Sequence, residues 1–175
     1  GQVAGGYIRF DTHTKQYLLP PEHAFVLANP DSPAFLSPAF DVAATLWHDE
    51  DQILAAFRSG NGMGWHEHNC RLFIGTEAFF RNGYRAHLIQ SWIPSLSGVQ
   101  EQLVNGGRVA DLGCGHGASV ILMAQAFPKS KFVGIDYHES SIAVARERAK
   151  QAGVADQIRF EVATPRVLAS SQEKF

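Results

Sequence analysis

The pattern of apolar and polar residues changes near residue 107. From that point short apolar runs alternate with longer helix-compatible stretches. The apolar runs predict three strands, over 108–112, 131–136 and 158–162, and the stretches between them predict helices over 118–127 and 141–152. Strands that alternate with helices form right-handed crossovers, so we expect a parallel sheet.

The first 106 residues predict a mainly helical segment that begins with a β-hairpin. Two short β-prone runs, at 7–10 and 17–19, flank a polar turn. The helices that follow are predicted over 22–28, 41–48, 52–58, 76–92 and 99–104. We therefore expect two domains, a hairpin with helices over 1–106 and a partial α/β domain over 107–175.

Composition narrows the classes of protein to consider. Of the 175 residues, 45% are hydrophobic, which is enough for a buried core, and the net charge of −2 argues against a nucleic-acid partner. No apolar run is long enough to predict a membrane span.

The two cysteines, Cys70 and Cys114, lack metal-type spacing and predict free thiols in the cytoplasm. Because the chain begins with Gly1 rather than Met, we expect a cleaved or truncated N-terminus.

The segment 111–117 is the most informative motif, since it lies where a predicted strand ends and a helix begins. Glycines there allow a tight turn and a close approach of the backbone to a ligand. Gly113, Gly115 and Ala118 also satisfy the dinucleotide fingerprint G-x-G-x-x-G/A. Asp111 and Gly117 favour S-adenosyl-L-methionine (SAM) instead, because dinucleotide sites usually have an apolar residue at the position of Asp111.

An acidic residue, Asp136, ends the second predicted strand. A carboxylate at this position can accept hydrogen bonds from both ribose hydroxyls of a bound cofactor. Both SAM and NAD contain a ribose, so Asp136 alone does not distinguish them. Tyr137 follows and could pack on an adenine ring.

At this point the chain resembles class I SAM-dependent methyltransferases. The segment 111–117 is similar to their motif I, and 134–136 is similar to the acidic motif of their second strand. The resemblance covers residues 108–163 and implies a Rossmann-like methyltransferase sheet, of which the chain supplies the first three parallel strands. It implies a cofactor site made of the residues Asp111, Gly113, Cys114, Gly115, Gly117, Asp136 and Tyr137.

The resemblance also assigns a role to most of these residues. Gly113, Gly115 and Gly117 would cradle the methionine part of SAM, and Asp136 would hold the ribose. Asp111 would organise the loop and its contacts with the ammonium group. Members of the family usually place an acid or amide near the end of the third strand, where this chain offers Glu161 and then Thr164.

The N-terminal part more loosely resembles the wing hairpin and dimerisation helices of bacterial methyltransferases with a winged-helix segment. This resemblance implies a homodimer or higher oligomer. The family's sheet has seven strands, and residues 164–175 do not predict a fourth. We therefore expect either that the chain is a fragment or that another copy covers the edge of strand 108–112.

The predicted function is SAM-dependent methyl transfer to a small-molecule acceptor, with no catalytic base identified. The alternatives are a non-catalytic SAM-binding regulator, a truncated dimerising remnant and, less favoured, an NAD(P)-binding oxidoreductase. His66, His68 and Cys70 resemble metal ligands, because they would share one side of a strand. No fourth ligand is evident, so we predict no metal and a polar loop, with a substrate-pocket role for His66 or His68 as the alternative.

Overall fold

The computed structural model describes residues 1–169 and 173–175, and it has the predicted mixed α/β fold. The chain divides into two compact units, Gly1–Asn82 and Gly83–Phe175. The functional division at residue 106 stays a prediction. Across the described ranges, no helix has both the length and the apolar character that crossing a membrane requires.

The first unit begins with the predicted hairpin and continues as helices. Strand β1 (Arg9–Asp11) pairs antiparallel with β2 (Gln16–Leu18). Backbone N–H groups of His13 and Thr14 donate hydrogen bonds to Asp11, which close the turn and lower the pKa of that carboxyl. The helical elements are α1 (Pro21–Leu27), α2 (Ser37–His48), α3 (Glu50–Ser59), a 3-10 turn (Trp65–Glu67) and α4 (Arg71–Gly83).

Helices α2 and α4 begin four and five residues earlier, respectively, than the apolar pattern predicts. Helix α2 begins at Ser37, where the following Pro38 fits a first turn that needs no backbone N–H donor. Helix α4 begins at Arg71 and passes close to α2 at Gly75. A Cβ at Gly75 would lie 3.0 Å from both the Pro38 carbonyl oxygen and the Val42 side chain. The close contact of these helices therefore depends on that glycine.

The single helix predicted over 76–92 is wrong in its second half. Helix α4 ends at Gly83, and Tyr84–Trp92 is a π-helix, which has i→i+5 hydrogen bonds. Apolar spacings of three and four residues do not separate the two geometries, which explains the error. The short helix α5 (Ile93–Ser95) follows the π-helix directly and contains Pro94 in its first turn, so the helical backbone continues past this proline to Ser95.

The second unit contains the three-stranded parallel sheet in the order β3-β4-β5. Its strands β3 (Arg108–Leu112), β4 (Lys131–Asp136) and β5 (Ile158–Val162) have the predicted bounds. The helical elements are α6 (Val99–Asn105), α7 (Ala118–Ala126), α8 (Glu139–Gln151), a 3-10 turn (Ala155–Gln157) and α9 (Arg166–Ala169). In the described part of the chain, β4 is the strand that pairs with β3.

The core of this unit lies between the sheet and helices α7 and α8. Val120, Phe132 and Ile142 are each at most 1% exposed. Burial of one such side chain contributes about 1.5–3 kcal/mol, so these residues fix the sheet beneath the loops that follow β3 and β4.

Helix α8 begins at Glu139, two residues before the predicted start at Ser141. The capping position is His138. Asp136 accepts the backbone N–H of His138 at 2.9 Å, and the His138 carbonyl then accepts the N–H of Ile142. The aspartate that ends β4 thus also determines where α8 starts.

Candidate functional site

The loop between β3 and α7 turns at three glycines with left-handed backbone conformations. The φ angles are 74° at Gly113, 52° at Gly115 and 75° at Gly117, a region that favours glycine. The N–H groups of Gly113 and Cys114 both donate to the Ile135 carbonyl, at 2.8 and 3.1 Å. These bonds fix the loop to the end of β4.

The glycines of this loop differ in what surrounds them. A Cβ at Gly113 or Gly115 would meet no protein atom within 4 Å, so a side chain there would fill open space over the loop. A Cβ at Gly117 would instead lie 3.2 Å from Ala145 and 3.3 Å from Phe160. The first two glycines therefore leave room for a ligand, and the third allows α7 to pack on the core.

The carboxylate of Asp136 connects this loop to the next one. Its Oδ2 accepts the N–H of Gly115 at 2.9 Å, and its Oδ1 accepts the N–H of His138 at 2.9 Å. An ionised carboxylate oxygen has two acceptor positions, so both oxygens can still accept hydrogen bonds from hydroxyl groups. The two hydrogen bonds thus fix the orientation of Asp136 and leave one acceptor position on each of its carboxylate oxygens for a ligand.

Asp111 lies near the end of β3, and the Ser119 hydroxyl donates a 2.6 Å hydrogen bond to its Oδ2. Burial raises the pKa of Asp111 above its ordinary value, and the negative charge of Asp136 raises it further. The hydrogen bond from Ser119 acts in the opposite direction. A cationic group near Asp111 would relieve the unfavourable burial of its charge.

Cys114 is 7% exposed and packs against the backbone of β4. A Cβ at Gly134 would lie 3.0 Å from the Cys114 sulfur and 2.7 Å from Phe160, so this strand position requires glycine. Burial raises the pKa of the Cys114 thiol to about 12, with further contributions from the charges of Asp111 and Asp136. A thiol in this environment is inert, which fits a packing role.

Tyr84 lies near the site, although it is not among the site residues predicted from the sequence. Its ring lies edge-on to Trp92, with centroids 6.1 Å apart. Burial raises the pKa of Tyr84, and the charge of Asp111 raises it further, which places the phenol within electrostatic reach of that carboxylate. The aromatic residues over 80–92 recur at helical spacing, a pattern that is typical of a packing face and does not by itself identify a site residue.

The remaining candidate residues from the sequence differ in their exposure and in their partners. Tyr137 directly follows β4 and is 45% exposed. Glu161 is ion-paired with Arg159 at 2.6 Å, and Thr164 is exposed. Nδ1 of His68 donates a hydrogen bond to the Asp49 carboxylate, and no group of three or more metal-ligating side chains occurs among residues 1–169 and 173–175.

The chain is similar to known methyltransferases in sequence. Residues 103–175 match the family described as Methyltransferase domain. Trans-aconitate 2-methyltransferase from Variovorax paradoxus is 48% identical over 60 residues, which cover 34% of this chain and 21% of that protein. A tRNA (guanine-N(7)-)-methyltransferase from Shewanella halifaxensis is 33% identical over 55% of this chain and 44% of its own length.

Solved structures share the fold over most of the chain. An O-methyltransferase family protein from Burkholderia thailandensis superposes with a TM-score of 0.67 and 12% identity, covering 93% of this chain and 48% of that one. A protein from Nostoc punctiforme described as an O-methyltransferase superposes with a TM-score of 0.61 and 20% identity, with the same coverage.

The chain therefore spans about half the length of these structural relatives and about a fifth of the Variovorax enzyme. The family match and the three parallel strands fall in the same part of the chain. The motif at 111–117 predicts that the cofactor is SAM. Residues 103–175 of this chain are thus similar to a methyltransferase domain.

Proposed function

We propose that this chain carries the SAM-binding half of an enzyme that transfers a methyl group to a small-molecule acceptor. The observation that supports it is the charge around the glycine loop. The Asp111 and Asp136 charges both raise the pKa of Cys114, which marks a negative electrostatic environment at the loop. The sulfonium and ammonium groups of SAM are cationic, whereas the diphosphate of NAD(P) is anionic, so this environment favours SAM.

In this proposal each predicted site residue has a distinct task. Gly113 and Gly115 leave open space over the loop for the methionine part of the cofactor. Asp111 faces its ammonium group, and Asp136 accepts hydrogen bonds from the ribose hydroxyls with the acceptor positions that Gly115 and His138 leave available. The exposed ring of Tyr137 packs on the adenine.

When bound, SAM supplies a methyl group made electrophilic by the attached sulfonium. The contribution of this chain is to hold and orient the cofactor, because alignment of the reacting atoms accounts for much of the rate in such transfers. The bonds from Gly113 and Cys114 to the Ile135 carbonyl fix the loop before the cofactor arrives. This fixed loop reduces the ordering that cofactor binding would otherwise require.

The acceptor class is proposed from charge and from the relatives. A net charge of −2 does not favour an RNA substrate, because RNA binding depends on cationic side chains that neutralise phosphates. The Variovorax relative is named for trans-aconitate, a small molecule, and the Burkholderia relative belongs to an O-methyltransferase family. We therefore propose a small molecule as the acceptor of the whole protein.

Calorimetric titration of the chain with SAM, S-adenosylhomocysteine and NADH tests the cofactor assignment. We expect SAM and S-adenosylhomocysteine to bind and NADH not to bind. Asp136→Asn should weaken SAM binding about tenfold or more, since hydrogen bonds to a charged group contribute about 1.5–3 kcal/mol each. Asp156→Asn is the matched control, because Asp156 is an exposed acid on a turn of the same unit.

Three outcomes of these measurements separate the proposal from its alternatives. Preference for NADH would favour an oxidoreductase. Absence of any binding would favour a remnant that has lost its cofactor site. SAM binding by the longest available form of the protein without transfer to any acceptor would favour a SAM-sensing regulator.

We further propose that the chain self-associates in the cytoplasm, as its resemblance to dimeric winged-helix methyltransferases implies. The support is the edge strand β3, which pairs with β4 on one side within the described residues. Both cysteines are free thiols, which suits a reducing compartment. Sedimentation equilibrium should give twice the chain mass, and a monomer at all concentrations would contradict this.

A further inference from the structure

The first unit contains an apolar pocket of about 380 Å³ that the proposed function does not use. Ile53, Ala56 and Phe57 of helix α3 and Met63 of the following loop form its apolar wall, and His68 provides a polar group. Pockets of this size, mostly apolar with a small number of polar groups, are typical of small-molecule sites. Phe57 is 84% exposed, so its ring is accessible to a ligand from the solvent.

The polar group of this pocket is held by two neighbours. The Nδ1 atom of His68 lies 2.8 Å from Oδ2 of Asp49, a residue that is only 3% exposed. The ring of Trp65 packs edge-on against the imidazole, with centroids 6.2 Å apart. Asp49 is itself fixed, because its carboxylate also accepts the backbone N–H of Asn69 at 3.1 Å.

This arrangement determines which nitrogen of His68 can meet a ligand. In the neutral ring, Nδ1 carries the proton and donates it to the Asp49 carboxylate, so Nε2 has a free lone pair. A carboxylate behind a histidine fixes both its tautomer and its orientation, as it does for histidines that bind metals or protons. His68 therefore offers one oriented hydrogen-bond acceptor at an apolar pocket.

Asp49 lies at the position that caps helix α3, but its carboxylate does not bond to that helix. Asp49 precedes helix α3, where an aspartate commonly caps the helix with its side chain. Here it makes no such cap, and its carboxylate contacts residues about twenty positions further along the chain instead. The Asp49 carboxylate thus orients His68 and the backbone of Asn69, and it does not cap helix α3.

We propose that this pocket binds a small apolar molecule that carries a hydroxyl group, an alcohol or a phenol. The hydroxyl donates a hydrogen bond to Nε2 of His68, and the apolar body packs against Ile53, Ala56 and Phe57. This site goes beyond the proposed methyl transfer, and its occupancy does not require SAM.

Phenol and toluene are a matched pair of probes, because they have similar size and only phenol has a hydroxyl. The chain has two methionines, Met63 at the pocket and Met123 in the core of the second unit, so methyl-13C-methionine labelling gives a reporter and an internal control. We expect phenol to shift the Met63 resonance and leave Met123 in place. Toluene should bind about threefold to tenfold more weakly, the difference that one neutral hydrogen bond makes.

Two variants separate the hydroxyl contact from the pocket itself. His68→Phe retains an aromatic ring without the acceptor, so phenol should lose its advantage over toluene, because its hydroxyl would be desolvated without a partner. Ala56→Leu should abolish binding of both probes by filling the pocket, whereas Ala55→Leu, an exposed neighbour on α3 that does not line the pocket, should leave it unchanged. Circular dichroism and thermal unfolding that match the wild type show that the first unit of each variant is folded, because Met123 reports on the second unit alone.

The proposal is overturned if phenol does not move Met63, if the wild-type chain binds phenol and toluene equally, or if Ala56→Leu binds phenol normally. All of these measurements are made without SAM. Failure of the SAM titration would therefore contradict the proposed methyltransferase function and leave this result unaffected.

Discussion

The Ser119 hydroxyl on the first turn of α7 donates a 2.6 Å hydrogen bond to the Asp111 carboxylate near the end of β3. This bond favours the ionised form of an acid whose burial raises its pKa. The strand and the helix that flank the glycine loop are thus connected through a polar contact as well as through the loop itself. Because Asp111 is proposed to face the cofactor's ammonium group, this contact has consequences for binding.

Ser119→Ala should weaken SAM binding about threefold to tenfold at neutral pH, by removing one hydrogen bond to a charged group. The pKa of Asp111 should rise further in the variant, because the Ser119 hydroxyl lowers it in the wild type. The loss of affinity on acidification should therefore begin at a higher pH. Calorimetry across pH measures both effects, and Ser119→Thr, which keeps a hydroxyl, should behave like the wild type.

Asp111→Asn should stabilise the cofactor-free protein at neutral pH while weakening SAM binding. The folded-state pKa of Asp111 is raised, so the wild type loses stability as the pH rises through that pKa, and a neutral amide avoids this loss. We expect the midpoint of thermal unfolding at pH 7 to rise by about 2–4 °C, the shift that about 1 kcal/mol of stabilisation gives a chain of this size. The gain should vanish at pH values where wild-type Asp111 is protonated, and an equal gain at all pH values would contradict the explanation.

Gly113→Ala should reduce SAM affinity beyond its effect on stability. Its φ of 74° makes a side chain costly by about 1–2 kcal/mol, and the added Cβ would fill the open space over the loop. Gly153→Ala is the matched control, because Gly153 has a φ of 71°, an equally open Cβ position and a location outside the loop. Thermal unfolding should show similar losses for both variants, and calorimetry should show lost SAM affinity for Gly113→Ala alone.

The two thiols should react at very different rates with a disulfide reagent such as DTNB. Cys70 is exposed, whereas Cys114 is buried with a pKa raised to about 12, so little reactive thiolate forms there at neutral pH. The native protein should release one equivalent quickly and the second only on unfolding. Cys70→Ser should remove the fast phase, and two fast equivalents in the native wild type would contradict the burial of Cys114.

The sheet was predictable because its signals are local. Each strand of the second unit is an apolar run between loop residues, and the bounds 108–112, 131–136 and 158–162 agree with the structure. The glycines that turn left-handed were also identifiable, since few other residues adopt that conformation. Local pattern and backbone chemistry therefore account for the framework around the loop.

The contacts between distant side chains were not predictable in the same way. The pairing of His68 with Asp49 depends on how two segments nineteen residues apart meet in space. The binding of Asp136 to the Gly115 N–H, across twenty-one residues, depends on the register of two strands. The sequence showed that these residues were polar and where they lay along the chain, but it did not show their partners.

The π-helix Tyr84–Trp92 has a consequence for how the chain tolerates insertions and deletions. A stretch with i→i+5 bonds contains more residues per turn than an α-helix, so deletion of one residue would allow it to become α-helical. The residues beyond the deletion would keep nearly the same orientation, because each α-helical residue turns the chain further around the helix axis than a π-helical residue does. Leu88 and Ile89 pack against the core from this stretch, while Tyr84 lies near Asp111. The loss of one residue from Tyr84–Trp92 should therefore disturb these contacts less than the loss of one residue from an α-helix, which has no surplus residue in its turns.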